Sequence, residues 1–368
     1  MTERLAIDAL LVLPHLRIQN ANAISSPLTW GFPAITAFIG LMHALERRLK
    51  DTLPIALQGV GVVCHHHQAQ TDSTGFTTSF NLTRNPVDKT GATAAIVEEG
   101  RIHLDITLVF GVQHLEGFVV HDDAAQVGLA QTVGEVLAGL RVAGGSVIHP
   151  PAGRRARPGS ARLIGLGDPG EDRDKIFRRE RRRWLPGFAL VSRDDLLRER
   201  LAEMRASSPD ASALDAWLDL ARLNHHAERA AATDPKPGAD RKVDADPDAG
   251  ETDADAHAHA GATWVTRRPA GWIVPIPVGY GALSELHPPG AVSNARDAAT
   301  PFRFVESLYS VGQWISPHRL RDASELLWTP ESDPASGLYR CRNRFRPPPI
   351  PIPIPIPISS PVVTPQSN

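Results

Sequence analysis

Residues 10–49 read LLVLPHLRIQNANAISSPLTWGFPAITAFIGLMHALERRL, and this stretch decides the fold. It opens with an apolar run, Leu10 to Ile18, of the length and residue type expected of a buried strand. It closes with apolar residues at the i, i+3, i+4, i+7 and i+11 spacing of one helix face, and Pro33 stands near the helix start. The members of that face are Phe38, Leu41, Met42, Leu45 and Leu49. The stretch therefore predicts a strand followed by a helix.

The segment between this strand and helix is rich in amides and hydroxyls and carries no charge. Its polar members and one aromatic residue are Gln19, Asn20, Asn22, Ser25, Ser26, Thr29 and Trp30. Backbone and side-chain donors beside a helix N-terminus suit a phosphate or an RNA sugar edge. An ordinary loop with Asx turns and an N-cap has the same composition, so both interpretations stay open.

Downstream segments extend this pattern to strand, helix, strand, strand, helix, strand. IALQGVGVVCHHHQAQ (55–70) reads as a half-buried second strand, and 102–112 alternate apolar and polar residues as a third. A helix with apolar residues from Leu129 to Leu140 and a short strand at Ser146–Ile148 follow. This order predicts an α+β fold, an RRM/ferredoxin-like body. The segment at about 70–100 reads as an inserted β-hairpin, a thumb, with turn signals at Asn85-Pro86 and Lys89-Thr90-Gly91.

Two further features allow two interpretations each. Gly144 and Gly145 follow the second predicted helix, where glycines form a C-cap and exit turn or expose N–H groups to a ligand. The basic segment 154–184 holds eleven Lys/Arg against five Asp/Glu between Arg154 and Arg183. It predicts a helix that contacts phosphate, or a solvated helix whose arginines pair with Asp172, Asp174 and Glu180.

Composition narrows the class of protein. The formal net charge of −2 over 368 residues hides the basic segment and an acidic one, Asp234 to Asp255, with eight acidic residues against three basic. Two cysteines, Cys64 and Cys341, and an N-terminus without signal-peptide character predict a cytoplasmic protein. No apolar run is long enough to span a bilayer, so we expect no membrane association.

Seven ordered blocks resemble one family. The bend and helix of residues 10–49 are the first block, and the others are FNLTRNPVDKTGATAAIVEEGRIHLDITL (80–108), LRVAGGSV (140–147), LPGFALVSR (185–193), GWIVPIPVGY (271–280), NARD (294–297) and PFRFVESLYSVGQWISPHR (301–319). Together they span nearly all of the chain up to about Arg346. The chain resembles the Csy-type, Cas-five-like subunit of the type I-F CRISPR surveillance complex.

The resemblance implies a non-catalytic subunit that binds the 5′ handle of the guide RNA (crRNA). It also implies pairing with the large subunit, contact with the adjacent backbone subunit, and target DNA binding through the assembled complex. No cofactor or metal is expected. The RNA-contacting residues predicted in this setting are Asn20, Asn22, Ser25, Ser26, Arg47, Arg84, Asn85, Arg141, Gly144 and Gly145.

The predicted organisation divides the chain into four parts. Residues 1–229 form the RNA-binding body, and 230–262 form a disordered acidic linker. Residues 263–346 pack back on the body or form a subunit interface, and the Pro-Ile tail at 347–368 is extended and disordered.

Two rival functions remain. Some Cas-five-like relatives cut their own repeat RNA, for which His43 with Arg47 is the local candidate pair. A purely protein-bridging scaffold is the other. It would tolerate replacement of Arg47 and Arg84 without loss of handle affinity.

Overall fold

The computed structural model describes residues 5–53, 55–75, 77–83, 87, 90–93, 97–114, 123–148, 160–167, 170–222, 224–229, 262–267, 271–295 and 297–347. Arg84 and Asn85 lie outside the described residues. So do 230–261, which cover nearly all of the predicted linker, and 348–368, which cover the predicted tail.

The described residues form a mixed fold of helices and a large sheet. The helices are α1 (Ile35–Leu49), α2 (Asp123–Ala138), α3 (Glu171–Arg182), α4 (Asp194–Ser207), α5 (Ala213–Ala221) and α6 (Ala323–Leu326), with a 3₁₀ turn at Pro317–Arg319. The strands are β1 (Ala9–Asn22), β2 (Ile24–Ser26), β3 (Thr29–Trp30), β4 (Ile55–Ala69), β5 (Thr71–Thr74), β6 (Thr77–Phe80), β7 (Leu82–Thr83), β8 (Val97–Glu98), β9 (Arg101–His114), β10 (Arg141–Val142), β11 (Gly145–Val147), β12 (Arg162–Gly165), β13 (Phe188–Ser192), β14 (Asn224–Arg229), β15 (Ala262–Arg267), β16 (Trp272–Ala282), β17 (Val305–Ile315), β18 (Trp328–Asp333) and β19 (Leu338–Asn343).

One antiparallel sheet organises the chain. Its strand order is β10-β11-β1-β9-β4-β13-β17-β16-β19-β18, and β12 also pairs with β1. The predicted strand and helix of residues 10–49 are confirmed as β1 and α1, and all five apolar residues of the predicted helix face are buried. The helix begins after Ala34, which makes no side-chain cap, so the N-cap considered in the preceding loop is not formed.

The C-terminal strands join this sheet and close part of it into a ring. Along one edge β4 pairs with β13 at Cys64 and Phe188, and with β18 at Val60 and Trp328. The strands β4-β13-β17-β16-β19-β18 therefore form a closed circuit of six. The indole N–H of Trp328 donates to the carbonyl of Leu190 at 2.9 Å, which ties β18 to β13 inside the ring.

The prediction that the second strand is half-buried is wrong for its central part. Residues 59–64 of β4 are buried, and a side chain at Gly61 would overlap Leu326 of α6. Both faces are covered because two apolar cores lie on opposite sides of the sheet. One contains the buried face of α1, and the other contains Phe177 and Trp184 at α3.

The residues between β4 and β9 form two short ladders, β5 with β6 and β7 with β8. They occupy the place of the predicted hairpin. Among the described residues, no helix is both long and apolar enough to cross a membrane.

Candidate nucleic-acid interface

The end of β1 does not form the open loop that the sequence suggested. Asn20 has a left-handed φ of +56°, and the pairing with β9 shifts register between Ile18 and Ala21. This bulge bends the strand and turns the Asn20 side chain outward. Gln70, at the base of the hairpin region, donates from Nε2 to Asn20 Oδ1 at 2.6 Å. The bend and the hairpin base are therefore linked directly.

Local hydrogen bonds hold the polar residues that follow. Asn22 accepts from the backbone N–H of Ile24 at 3.1 Å and donates to its carbonyl at 2.8 Å, which is an Asx turn. The β2–β3 hairpin places the Thr29 hydroxyl 2.6 Å from that of Ser26 and 2.8 Å from that of Ser25. Ser26 is buried and Ser25 is partly exposed. Asn22 and Ser26 thus stabilise the bend, while Ser25 also borders open space.

The glycine pair forms a hairpin turn and not a helix C-cap. Helix α2 ends at Ala138, and β10 pairs with β11. Ala143 and Gly144, with φ angles of +49° and +79°, form the turn that connects these two strands. Two successive left-handed residues are the geometry of a tight hairpin turn. Arg141 steadies it by donating from Nη1 to the Gly144 carbonyl at 3.2 Å.

This turn is packed against the bend of β1. The backbone N–H of Asn22 donates to the Ala143 carbonyl at 2.9 Å. A Cβ atom on Gly145 would lie 2.7 Å from both the amide nitrogen of Ala21 and the carbonyl oxygen of Gln19. Glycine at 145 is therefore what allows the turn to approach the strand so closely.

The base of the hairpin region packs against the segment that follows the β1 bend. Phe80 at the end of β6 packs edge-to-face against Trp30 of β3, with ring centroids 5.5 Å apart. The Ala23 N–H donates to the Gly100 carbonyl at 2.9 Å, and Gly100 lies tightly against Ile24. The bend, the glycine turn and the hairpin base are thus contiguous.

A cleft of about 390 Å³ opens beside these three pieces. Its lining residues are Asn22, Ser25, Pro33, Ala34, Thr36, Ala37, Gly40, Ala143, Tyr280 and Tyr339. The N-terminus of α1 borders the cleft and has neither an acidic residue in its first turn nor a side-chain cap. The first N–H groups of the helix and the helix dipole therefore give this wall a partial positive charge.

The opposite wall comes from the C-terminal strands. Tyr280 and Tyr339 are opposite one another on β16 and β19, with ring centroids 6.4 Å apart. The Tyr280 hydroxyl reaches Thr36 at 3.5 Å, and its side chain is 40% exposed. Burial raises the pKa of Tyr339 to about 12, so its hydroxyl stays protonated at neutral pH. The cleft thus combines neutral hydrogen-bonding groups with two aromatic rings.

The family model for CRISPR-associated protein (Cas_Csy2) matches residues 11–341. The chain belongs to the Csy2 family. It is similar to the CRISPR-associated protein Csy2 of Pseudomonas aeruginosa (strain UCBPP-PA14), with 48% identity over 335 residues, which are 90% of this chain and 94% of that protein. The family predicted from the sequence, a type I-F CRISPR subunit, is confirmed.

Not every residue predicted for the RNA interface of this Csy2-family chain lies at the cleft. The structure brings together Asn20, Asn22, Ser25, Ser26, Arg141, Gly144 and Gly145. Arg47 is exposed in the last turn of α1, eleven residues beyond Thr36 and therefore about 16 Å further along the axis. His43 lies between them, with its Nδ1 3.9 Å from a carboxylate oxygen of Glu46.

Sequence reasoning missed Tyr280 and Tyr339 as members of this Csy2-family site. Both belong to stretches noted for their aromatic content, GWIVPIPVGY and GLYR. No spacing rule connects them with Ser25, more than 250 residues earlier.

A separate cluster of polar residues surrounds His65 of β4. His65 donates from Nδ1 to the Pro186 carbonyl at 2.7 Å, and the Thr107 hydroxyl lies 2.7 Å from Nε2. Its ring stacks on that of His15, with centroids 4.1 Å apart, and His15 in turn lies 3.0 Å from Asp105. Burial is the main cause that lowers the pKa of His65 below its ordinary value. Both ring nitrogens have partners that suit a neutral imidazole.

Proposed function

We propose that this chain is a non-catalytic subunit of a type I-F CRISPR surveillance complex that binds the 5′ handle of the crRNA. In this role it pairs with the large subunit and caps the filament of backbone subunits in the cytoplasm. Target DNA is then recognised by pairing with the guide, while the protein recognises the backbone and shape of the handle.

The observation that carries this proposal is the cleft. Its walls come from four parts of the chain: the β1 bend, the glycine turn, the N-terminus of α1 and the paired strands β16 and β19. The exposed ring of Tyr280, beside the partly buried Tyr339, can stack on an unpaired base, and hydroxyls with an uncapped helix N-terminus can bind phosphate or the ribose 2′-hydroxyl. These features together suit single-stranded RNA better than a folded protein partner.

The sheet topology supports an RRM/ferredoxin-like body. The order β11-β1-β9-β4, with α1 after β1 and α2 after β9, is the antiparallel arrangement of that fold. On the face of β9 opposite α1, His103 and Asp105 are partly exposed and Thr107 is buried, so stacking of bases on the sheet face is not favoured. We therefore assign RNA binding to the cleft, with Arg141 beside it and the hairpin region, including Arg84 and Asn85, as a thumb over the handle.

Gly40 offers a direct test, because it lines the cleft and a side chain there meets no atom within 4 Å. Gly40→Glu adds a carboxylate to the cleft, and Gly40→Gln adds the same bulk without charge. Replacing a helical glycine removes a cost of about 0.5–1 kcal/mol, so neither variant should unfold α1. Gly128→Glu on α2 has the same charge change on an exposed glycine that does not line the cleft.

Handle RNA affinity should be measured by fluorescence anisotropy with labelled handle RNA and each full-length variant chain, purified without guide RNA. A charge about 5–6 Å from a phosphate costs about 3 kcal/mol at an effective dielectric constant of 20, so Gly40→Glu should bind at least tenfold more weakly than Gly40→Gln. Gly128→Glu should bind as the unmodified chain does. Equal affinity for all three variants would refute the cleft as the handle site.

The ribonuclease alternative receives no support from the cleft. Neither His43 nor Arg47 is among the residues that line the cleft, and the His43 ring lies near the carboxylate of Glu46. Arg47 is retained as a candidate phosphate contact outside the cleft.

A further inference from the structure

The C-terminal half of α3 carries an unusually dense group of arginines. Five of its last six positions, counted through the C-cap, are Arg178, Arg179, Arg181, Arg182 and Arg183. Its acidic residues Glu171, Asp172 and Asp174 lie in the first turn, and two of them pair with Lys175. Positive charge is therefore concentrated at one end of the helix.

The carboxylate within this group is buried. Glu180 is 1% exposed, and its oxygens lie 3.2 Å from Arg162, 3.6 Å from Arg179 and 3.5 Å from Arg183. One carboxylate can neutralise one guanidinium and orient the others, so the cluster keeps a clear excess of positive charge. The guanidinium groups of Arg179 and Arg183 stay largely exposed while they are held.

The remaining arginines of the cluster lie close together. Arg178 is fixed at one end, because its Nε donates to the Asp174 carbonyl at 3.1 Å. Burial is the main cause that lowers the pKa of Arg181, Glu325 acts against it, and the part due to Arg178 and Arg182 is repulsion between neighbouring cations. Arg319 extends the surface from the adjoining 3₁₀ turn, where it is exposed. An anion bound here would relieve this repulsion.

The aromatic residues in and directly after this helix point into the core and not toward the arginine surface. Phe177 and Trp184 are buried, pack on each other with centroids 5.8 Å apart, and belong to the core beneath the sheet. A surface that binds single strands normally offers exposed rings for stacking, and this one offers guanidinium groups alone. A duplex, whose bases are already stacked, presents phosphates in a regular row and fits such a surface.

We infer that the arginine face of α3, formed by Arg178, Arg181 and Arg182 with Arg179 and Arg183 oriented by Glu180, binds the phosphate backbone of double-stranded DNA. This site is separate from the handle cleft. Helix α3 packs on the core that contains Val63 and Val109, while α1 packs on the core of the opposite sheet face. One subunit thus carries two nucleic-acid surfaces of different chemistry.

The test uses the assembled complex and random-sequence duplex DNA without a matching target, so that guide pairing contributes nothing. The triple variant Arg178→Gln, Arg181→Gln, Arg182→Gln removes three charges. The matched control, Arg48→Gln, Lys50→Gln, Arg198→Gln, removes three exposed charges from α1, its C-cap and α4. Duplex affinity is measured by anisotropy between 50 and 300 mM salt, at about 0.1 M for the direct comparison.

Three lost phosphate contacts should make the slope of log K against log salt concentration shallower by about 2.7, with at least about tenfold weaker binding at 0.1 M salt. The control triple should leave both quantities unchanged. The double variant Arg178→Gln, Arg182→Gln keeps the partly buried Arg181 and should show about two thirds of the slope change. If neither variant weakens duplex binding more than the control triple does, the inference is overturned.

Handle RNA affinity of the same variant chains, purified without guide RNA, separates this inference from the handle proposal. The arginine variants should retain full handle affinity, while Gly40→Glu should lose it and keep the duplex salt slope. A loss of handle affinity in the arginine variants would show that the two surfaces are not separate.

Discussion

Two adjacent glycines at the hairpin turn, Gly144 and Gly145, should respond to the same substitution to different extents. A Cβ atom on Gly145 would lie 2.7 Å from the Ala21 nitrogen, the Gln19 oxygen and the Ile18 Cγ2 atom. Two of these atoms belong to the backbone of β1, which cannot move aside as a side chain can. Gly145→Ala should therefore push β11 and the turn away from β1.

The cost of that displacement can be worked out from the contacts. Overpacking by one methyl costs about 1–3 kcal/mol when the neighbours are rigid. If β11 separates instead, the chain loses the Asn22–Ala143 hydrogen bond and the ladder at Ile18–Val147 and Gln19–Ser146, at about 0.5–1.5 kcal/mol for each bond. The first route costs about 1–3 kcal/mol, and the loss of these three interactions costs about 1.5–4.5 kcal/mol.

Gly144 provides the matched control. Its φ is +79°, and a side chain there meets no atom within 4 Å. Gly144→Ala should cost about 1–2 kcal/mol of backbone strain and leave the turn in place.

Hydrogen exchange of the β11 amides followed by mass spectrometry measures this local stability. Since 1.4 kcal/mol is a factor of ten, separation of β11 in Gly145→Ala, at about 1.5–4.5 kcal/mol, should accelerate exchange by about 10- to 1500-fold, and Gly144→Ala should accelerate it by about 5- to 30-fold. Handle affinity should fall more in Gly145→Ala, because the turn leaves the cleft. Equal protection in the two variants would refute the argument from close approach.

Three other predictions concern stability and chemistry. The pKa of His65 is lowered in the folded state, so the stability of the fold should decrease as pH drops below about 6.5, the ordinary histidine value. His65→Asn should reduce that decrease when melting temperatures at pH 7.5 and pH 5.5 are compared. Gly61→Val should lower the free energy of unfolding, measured in urea, by about 1–3 kcal/mol because its side chain would overlap Leu326. Adding Leu326→Ala should recover part of this stability, and fully additive losses in the double variant would contradict the contact. On a denaturing gel, a repeat RNA should stay equally intact after incubation with complexes that contain the unmodified chain or His43→Ala. Defined cleavage by the unmodified complex that is lost in His43→Ala would favour a ribonuclease.

The sequence predicts those parts of the fold in which one face of an element is buried locally. The five apolar residues of α1 recur at helical spacing because a single core receives them, and all are buried. The alternation of β9 from Ile102 to Phe110 has the same origin. The N-cap of α5 is also local, because Ser212 forms a complete capping box with Asp215 three residues later.

The rest depends on contacts between distant segments. Nothing near Gly61 in the chain indicates that Leu326 covers its strand, so β4 reads as half-buried. Gly144 and Gly145 have the same local signature in a helix C-cap as in a hairpin turn, and the pairing of Val142 with Gly145 decides between them. The cleft is still harder to predict from the sequence, because its tyrosine wall exists only once β16 and β19 lie beside α1.

The closed ring explains how that wall is positioned. Trp328 is fully buried, pairs with Val60 and donates to the Leu190 carbonyl, so β18 is fixed to the N-terminal body at one point. Antiparallel pairing then sets the register of β19 on β18 and of β16 on β19, which brings Tyr280 opposite Tyr339. Helix α1 packs on the N-terminal body, whereas the positions of the two tyrosines are set by closure of the ring. The width of the cleft therefore depends on Trp328, which does not line it. The C-terminal strands are therefore part of the candidate RNA site, and a body that ended before residue 263 would lack the wall that the bases are proposed to stack against.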